Sequence, residues 1–210
     1  MNRENIYQYV TSKISFSMDE TKQKTMSIWP AFFSLGLLIL GSSLRGCWLY
    51  ISFAMLFFSL LCTAIVFIVC WRGLTLKSGL WLATLTFAEW VGVLHVMQIM
   101  FFTYLRGFHP WILLIFLPSI ASPILCGIKT HQALKKSVYS PPKKNIAAKG
   151  AAAATGGVIG GIIGRRLARH DSEFAIVVFI VLTSVINVFF SAELVYLQKL
   201  YYIKKYNISL

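Results

Sequence analysis

Acidic residues are scarce in this 210-residue chain. Asp and Glu total 7 against 20 Lys and Arg, and charges of both signs make up only 13% of the sequence. A soluble globular domain carries about 25% charged residues, so an ordinary soluble domain is excluded. Intrinsic disorder is excluded too, because it requires low hydrophobicity. Here 57% of residues are hydrophobic and the mean hydropathy is +0.70. That balance points to an integral membrane protein.

Cysteine is equally sparse. Cys47, Cys62, Cys70 and Cys126 form no C-x-x-C and have no histidine at ligand spacing, which argues against a disulfide framework or a metal centre. They read as packing residues, Cys62 most clearly, since it falls inside an apolar run. Catalytic signatures are lacking as well: there is no H-E-x-x-H, G-x-S-x-G, P-loop or paired aspartate motif. The expectation is a protein that is not an enzyme and needs no cofactor. No inverted repeat of the transporter kind is visible.

What the chain does have is long charge-free runs. A crossing helix needs about 20 largely apolar residues. The first run is Ile28 to Leu44, with Ser27 as the expected N-cap and Pro30 in the first turn. The second is Trp48 to Trp71. The third, Gly79 to Leu105, carries Glu89, His95 and Gln98. The fourth, Pro110 to Ile128, contains Pro118 and Pro123, each expected to bend or interrupt it. The last, Phe174 to Gln198, includes Asn187 and Glu193. All five read as helices, because an open strand in lipid leaves backbone groups unsatisfied. Ahead of them, residues 1–27 are polar, and the first run reads as a signal anchor rather than a cleaved leader. Ile6, Val10 and Ile14 recur at helical spacing there, which predicts a short helix against the membrane surface, and Ser17 with Glu20 has capping-box spacing.

The fold class read from this pattern is an all-α polytopic membrane bundle. Its parts are a segment of residues 1–27, a four-helix unit over 28–128, a basic linker over 129–149, a glycine-rich segment over 150–169, a last helix over 170–198 and a basic tail over 199–210. Lys and Arg of short loops mark the cytoplasmic side. Arg3, Lys13, Lys22 and Lys24 share one side with Arg72, Lys77 and the linker lysines, whereas Arg45 and Arg106 face the other. The N-terminus is therefore expected in the cytoplasm of a cell-membrane protein. Lys135, Lys136, Lys143, Lys144, Arg165 and Arg166 are expected to meet anionic lipid on that side. This use of basic charge speaks against a nucleic-acid partner.

Between linker and last helix, Gly156, Gly160 and Gly164 recur every four residues, with Gly157 and Gly161 in a second row. Small residues at that spacing let helix backbones approach closely in lipid. The pattern predicts a glycine zipper that makes homo-oligomers. From Gly150 to Gly164 it reaches only ~22 Å as a helix, so it either crosses or re-enters, and the side of the C-terminus stays open.

An ionisable group inside a membrane span is a functional candidate by default. Glu89 lies mid-span, with His95 about 120° away around the helix and Gln98 nearly opposite. Asn187 lies in a stripe with Thr183 and Ser191, and is expected to bond across to Glu89 or Gln98. Two functions follow. The first is a non-catalytic membrane subunit, sensor or effector that self-associates and serves a cytoplasmic protein partner. The second is a small channel or transporter with a polar pathway through Glu89, His95, Gln98 and Asn187.

Overall fold

The structure is a computed structural model that describes residues 3–12, 17–136, 138, 139 and 172–208. The glycine-zipper residues Gly156, Gly157, Gly160, Gly161 and Gly164 lie outside these, as do Lys143, Lys144, Arg165 and Arg166. The described residues are helical, with no strand among them.

Helix α1, Arg3–Thr11, buries Ile6, Tyr9 and Val10. That apolar face packs on the chain's own core, with Leu80, Tyr202 and Ile203, rather than standing free for a membrane surface. Helix α2, Glu20–Leu44, starts about two turns earlier than the charge-free run predicts. Asp19 is its cap, accepting from the Lys22 amide at 3.0 Å, so neither Ser27 nor a Ser17–Glu20 box begins it. Ser27 sits inside the helix and is buried. Capping chemistry at Asp19 satisfies amides that the apolar run alone does not mark. Pro30 consequently lies in the helix interior, not in the first turn.

Arg45 and Gly46, both at positive φ, turn the chain into α3, Cys47–Trp71. The two helices are antiparallel along a seam of small residues. Ser34 and Ser59 hydroxyls meet at 3.1 Å, Thr63 donates to the Ser27 carbonyl at 2.7 Å, and Gly41 lies against Ser52. Helix α4, Leu76–Arg106, begins at a capping box made by Thr75 and Ser78. It is the most buried of the long helices and runs through the centre.

A short 3-10 helix, Pro110–Ile115, leads into α5, Phe116–Lys135. Pro118 falls in the first turn of α5, where a missing N–H is tolerated, and α5 continues through Pro123 without a break. The interruption expected at the prolines lies ahead of them instead. The last run is also divided differently from expectation. Helix α6, Ser172–Glu193, ends in a tight turn in which Leu194 and Val195 amides bond to Ser191 and Ala192 carbonyls. Helix α7, Tyr196–Tyr206, follows, so most of the expected basic tail is a packed helix.

Side-chain pairs fix the directions. Phe101 meets Phe179, Gln98 meets Thr183, and Phe87 meets Tyr196, so α6 runs antiparallel to α4. Ser122 donates to the Val188 carbonyl, Gln198 to that of Gly127, and His131 meets Tyr202, so α5 and α6–α7 run parallel. The chain therefore leaves α5 at one end of the bundle and enters α6 at the other. Both the N-terminal and the C-terminal helix sit at the end where α5 finishes. Among the described residues, five helical stretches are long and apolar enough to cross a membrane: Glu20–Leu44, Cys47–Trp71, Leu76–Tyr104, Ile112–Lys135 and Val177–Tyr206.

Candidate functional site: the polar interior of the bundle

Helix α4 carries three of the four candidate polar residues, and the bundle sends them to two different interfaces. Glu89 is 0% exposed and faces the α2–α3 seam. The Ser59 hydroxyl is beside its carboxylate, and the buried Cys62 thiol of the same helix as Ser59 is within electrostatic reach. Neither carboxylate oxygen has a hydrogen-bond partner within bonding geometry. Ser59 is itself hydrogen-bonded to Ser34, whose hydroxyl donates to the Pro30 carbonyl at 2.8 Å.

His95 and Gln98 face α5 and α6 instead. His95 Nδ1 is 2.6 Å from the Val91 carbonyl, which can only accept, so Nδ1 carries a hydrogen and donates. The side-chain amide of Asn187 approaches the same nitrogen at 2.9 Å. Because Nδ1 is a donor, the amide face that fits there is the oxygen. On the far side of the ring, Nε2 is 2.9 Å from Ser119 Oγ, and Phe116 stacks on the imidazole at 4.2 Å between centroids. The Ser119 hydroxyl also lies 2.8 Å from the Phe116 carbonyl, so its one hydrogen is shared between two neighbours. Gln98 Nε2 reaches Thr183 at 2.7 Å and Ser184 at 3.0 Å. Asn187 thus pairs with His95, not with Glu89 or Gln98 as the spacing suggested. The reason is register: antiparallel packing sets Asn187 level with His95, one helical turn from Gln98 and on another face from Glu89.

A cavity of about 590 Å³ adjoins His95 and Ser119, walled otherwise by apolar groups such as Met55, Ala88, Ile120 and Ile124. Ala88 and Gly92 of α4 also line it. Among the described residues no group of three or more His, Cys, Asp or Glu is placed to hold a metal ion. The four cysteines are free thiols, with Cys62 and Cys70 buried and Cys47 exposed.

Two constellations escaped the sequence reading. The first is the α2–α3 seam, signalled by small residues every seven positions: Ser27, Ser34 and Gly41 on one helix, Ser52 and Ser59 on the other. A seven-residue repeat keeps one stripe facing an antiparallel partner. The second is a clamp between α1 and α7. Tyr9 donates to Gln198 Oε1 at 3.0 Å, Ser12 and Tyr139 hydroxyls meet at 2.9 Å, and Lys199 donates to the Ser12 carbonyl. The Lys199 ammonium is buried between the Tyr9 and Tyr196 rings, 5.4 and 5.5 Å from their centroids. Burial, reinforced by the Tyr139 and Tyr202 phenols, pushes the Tyr9 hydroxyl above its ordinary titration range. The signal was the spacing of Tyr196, Lys199, Tyr202 and Tyr206 at helical intervals.

Lys135 and Lys136 close α5 with exposed side chains. No protein-family model matches the chain, and comparison with curated proteins and with solved structures gives no match either.

Proposed function

We propose that the chain is a non-catalytic integral protein of the cell membrane, with both termini in the cytoplasm, that self-associates and serves as a membrane subunit, sensor or effector for a cytoplasmic protein partner. One observation carries this reading. Gln98, Thr183, His95, Ser119 and Asn187 are occupied with one another at helix interfaces, while broad apolar faces stay exposed on α3, at Tyr50, Phe53 and Phe57, and on α5, at Leu117, Ile120 and Ile124. Interhelical hydrogen bonds of this kind hold a bundle together, and the apolar faces suit lipid or another membrane helix.

The basic residues support the orientation. Arg3, Lys22, Lys24, Arg72, Lys77, Lys135, Lys136 and Lys204 lie at the end of the bundle that holds both termini, and Arg45 and Arg106 lie at the other. By the positive-inside rule the first end is cytoplasmic. Lys135 and Lys136 then meet anionic headgroups there, each worth about 1 kcal/mol. The glycine-zipper segment over 150–164, which lies outside the described residues, is the element assigned to self-association in this reading. Its small residues Gly156, Gly160 and Gly164 recur every four positions in the sequence. A pathway through Glu89, His95 and Asn187 has weaker support, because α4 separates the carboxylate from the other two.

The test is native mass in mild detergent. The wild type runs as an oligomer and Gly156→Leu with Gly160→Leu runs at a smaller mass; an unchanged size for the pair removes the zipper from the assembly.

A further inference from the structure

Among the described residues, Glu89 is an ionisable group of the bundle interior whose carboxylate the packing leaves open. Its side chain is fully enclosed, and both carboxylate oxygens lack a hydrogen-bond partner. An ionised carboxylate without a counter-charge in such a place costs several kcal/mol. The ion pairs among the described residues, Asp19 with Lys22 and Glu20 with Lys24, lie outside the bundle interior and do not reach it. The groups that face Glu89 are neutral: from α3 the Ser59 hydroxyl and the Cys62 thiol, and through Ser59 the Ser34 hydroxyl of α2. Cys62 is the titratable neighbour among them. The seam beside it is made of small residues, the Ser34 and Ser59 hydroxyls meeting at 3.1 Å.

We propose that Glu89 is an intramembrane proton-binding site, with Ser59 as the hydroxyl that accepts from the protonated carboxyl and Ser34 as the next link in the chain. A single positive charge neutralises the site, and a proton is the ion that fits. A metal cation needs a shell of several oxygen ligands, whereas one hydroxyl oxygen beside the carboxylate is all that a carboxyl O–H requires. Binding is an exchange of one proton with no other bond change: the carboxyl O–H forms on uptake and breaks on release. Ser59 has its own hydrogen to turn toward the carboxylate when the proton leaves, and the Ser34 hydroxyl, held by the Pro30 carbonyl, supports that rotation. The site thus reads out proton supply at the junction of α2, α3 and α4. It differs from the His95 cluster, which lies on the other side of α4 and is satisfied by Val91, Asn187 and Ser119.

Dicyclohexylcarbodiimide, which adds to protonated carboxyls in apolar surroundings, tests this on the full chain in liposomes. Mass mapping of the peptide that contains Glu89 should show an adduct that falls roughly tenfold or more from about pH 5 to about pH 9, as a single titrating carboxyl requires. Glu89→Gln should abolish it, and Ser59→Ala should shift the pH of half-labelling while leaving the adduct on Glu89. Labelling that does not vary with pH, or no adduct on Glu89 while another carboxyl of the chain reacts, overturns the proposal. Protection by sodium chloride but not choline chloride at fixed pH also overturns it, by making the occupant a sodium ion. The readout is independent of oligomeric size, so it separates this site from the zipper assembly.

Discussion

The indole N–H of Trp90 donates to the Met26 carbonyl at 3.0 Å, and that carbonyl is the one Pro30, four residues on, has no amide hydrogen to reach. An interior proline normally leaves a helix carbonyl orphaned. Here α4 supplies the missing donor to α2. Phe33 packs against the same indole at 5.6 Å between centroids, so the ring is held for this bond.

Trp90→Phe should therefore destabilise the bundle by about 1–2 kcal/mol, the cost of an unsatisfied buried carbonyl in a membrane bundle. In a Pro30→Ala background the helix regains its own amide donor, and the cost of Trp90→Phe should shrink. A double-mutant cycle by thermal unfolding in detergent measures this. Additive effects would mean the two residues act independently.

The seam between α2 and α3 predicts opposite outcomes for two glycines of one helix. An added Cβ at Gly41 would lie 3.0 Å from both Ser52 Cβ and the Trp48 carbonyl, whereas at Gly36 it meets nothing within 4 Å. Gly41→Ala should cost about 1–3 kcal/mol through overpacking. Gly36→Ala should be neutral or stabilise by about 0.5–1 kcal/mol through backbone entropy. Their melting temperatures should move in opposite directions.

The α1–α7 clamp should weaken in alkali. The Tyr9 phenol has its ionisation raised by burial, so the folded protein holds that proton more tightly than the unfolded chain. Stability from this group is intact below the unfolded value of about 10 and declines as pH rises past it. Circular dichroism melts at about pH 8 and about pH 11 should show the decline in the wild type and a smaller one in Tyr9→Phe. The substitution also removes the bond to Gln198, which lowers stability at both pH values.

Orientation can be read with thiol chemistry. Cys47 is exposed at the turn between α2 and α3, at the opposite end from Asn207, which caps α7 in a left-handed conformation. In intact cells a membrane-impermeant maleimide should label Cys47. A cysteine placed at Asn207, in a chain with Cys47 replaced by serine, should react only after lysis. Labelling of both before lysis would refute the shared cytoplasmic side of the termini.

Hydropathy located all five long helices, because the cost of charge in lipid leaves long uncharged runs that any reader of the chain can see. It misplaced their ends. Asp19 caps α2 about two turns ahead of the apolar run, since lipid crossing and hydrogen-bond capping obey different rules. The candidate polar residues were legible one by one for the same reason. Their partners were not: an angle around α4 separates Glu89 from His95, but it does not say which helix fills either side.

Composition and order by themselves thus determined the helical class, the number and approximate positions of the long apolar helices and the uneven spread of basic charge along the chain, all of which depend on local free energies of transfer. Only the tertiary structure decided that α5 and α6 are parallel, that both terminal helices meet at one end, and that Asn187 serves His95 while Glu89 stands unpaired against Ser59. Those outcomes depend on which helix lies beside which, and at what register. That is set by steric fit between side chains far apart in the chain, such as Gly41 with Ser52 and Tyr9 with Gln198.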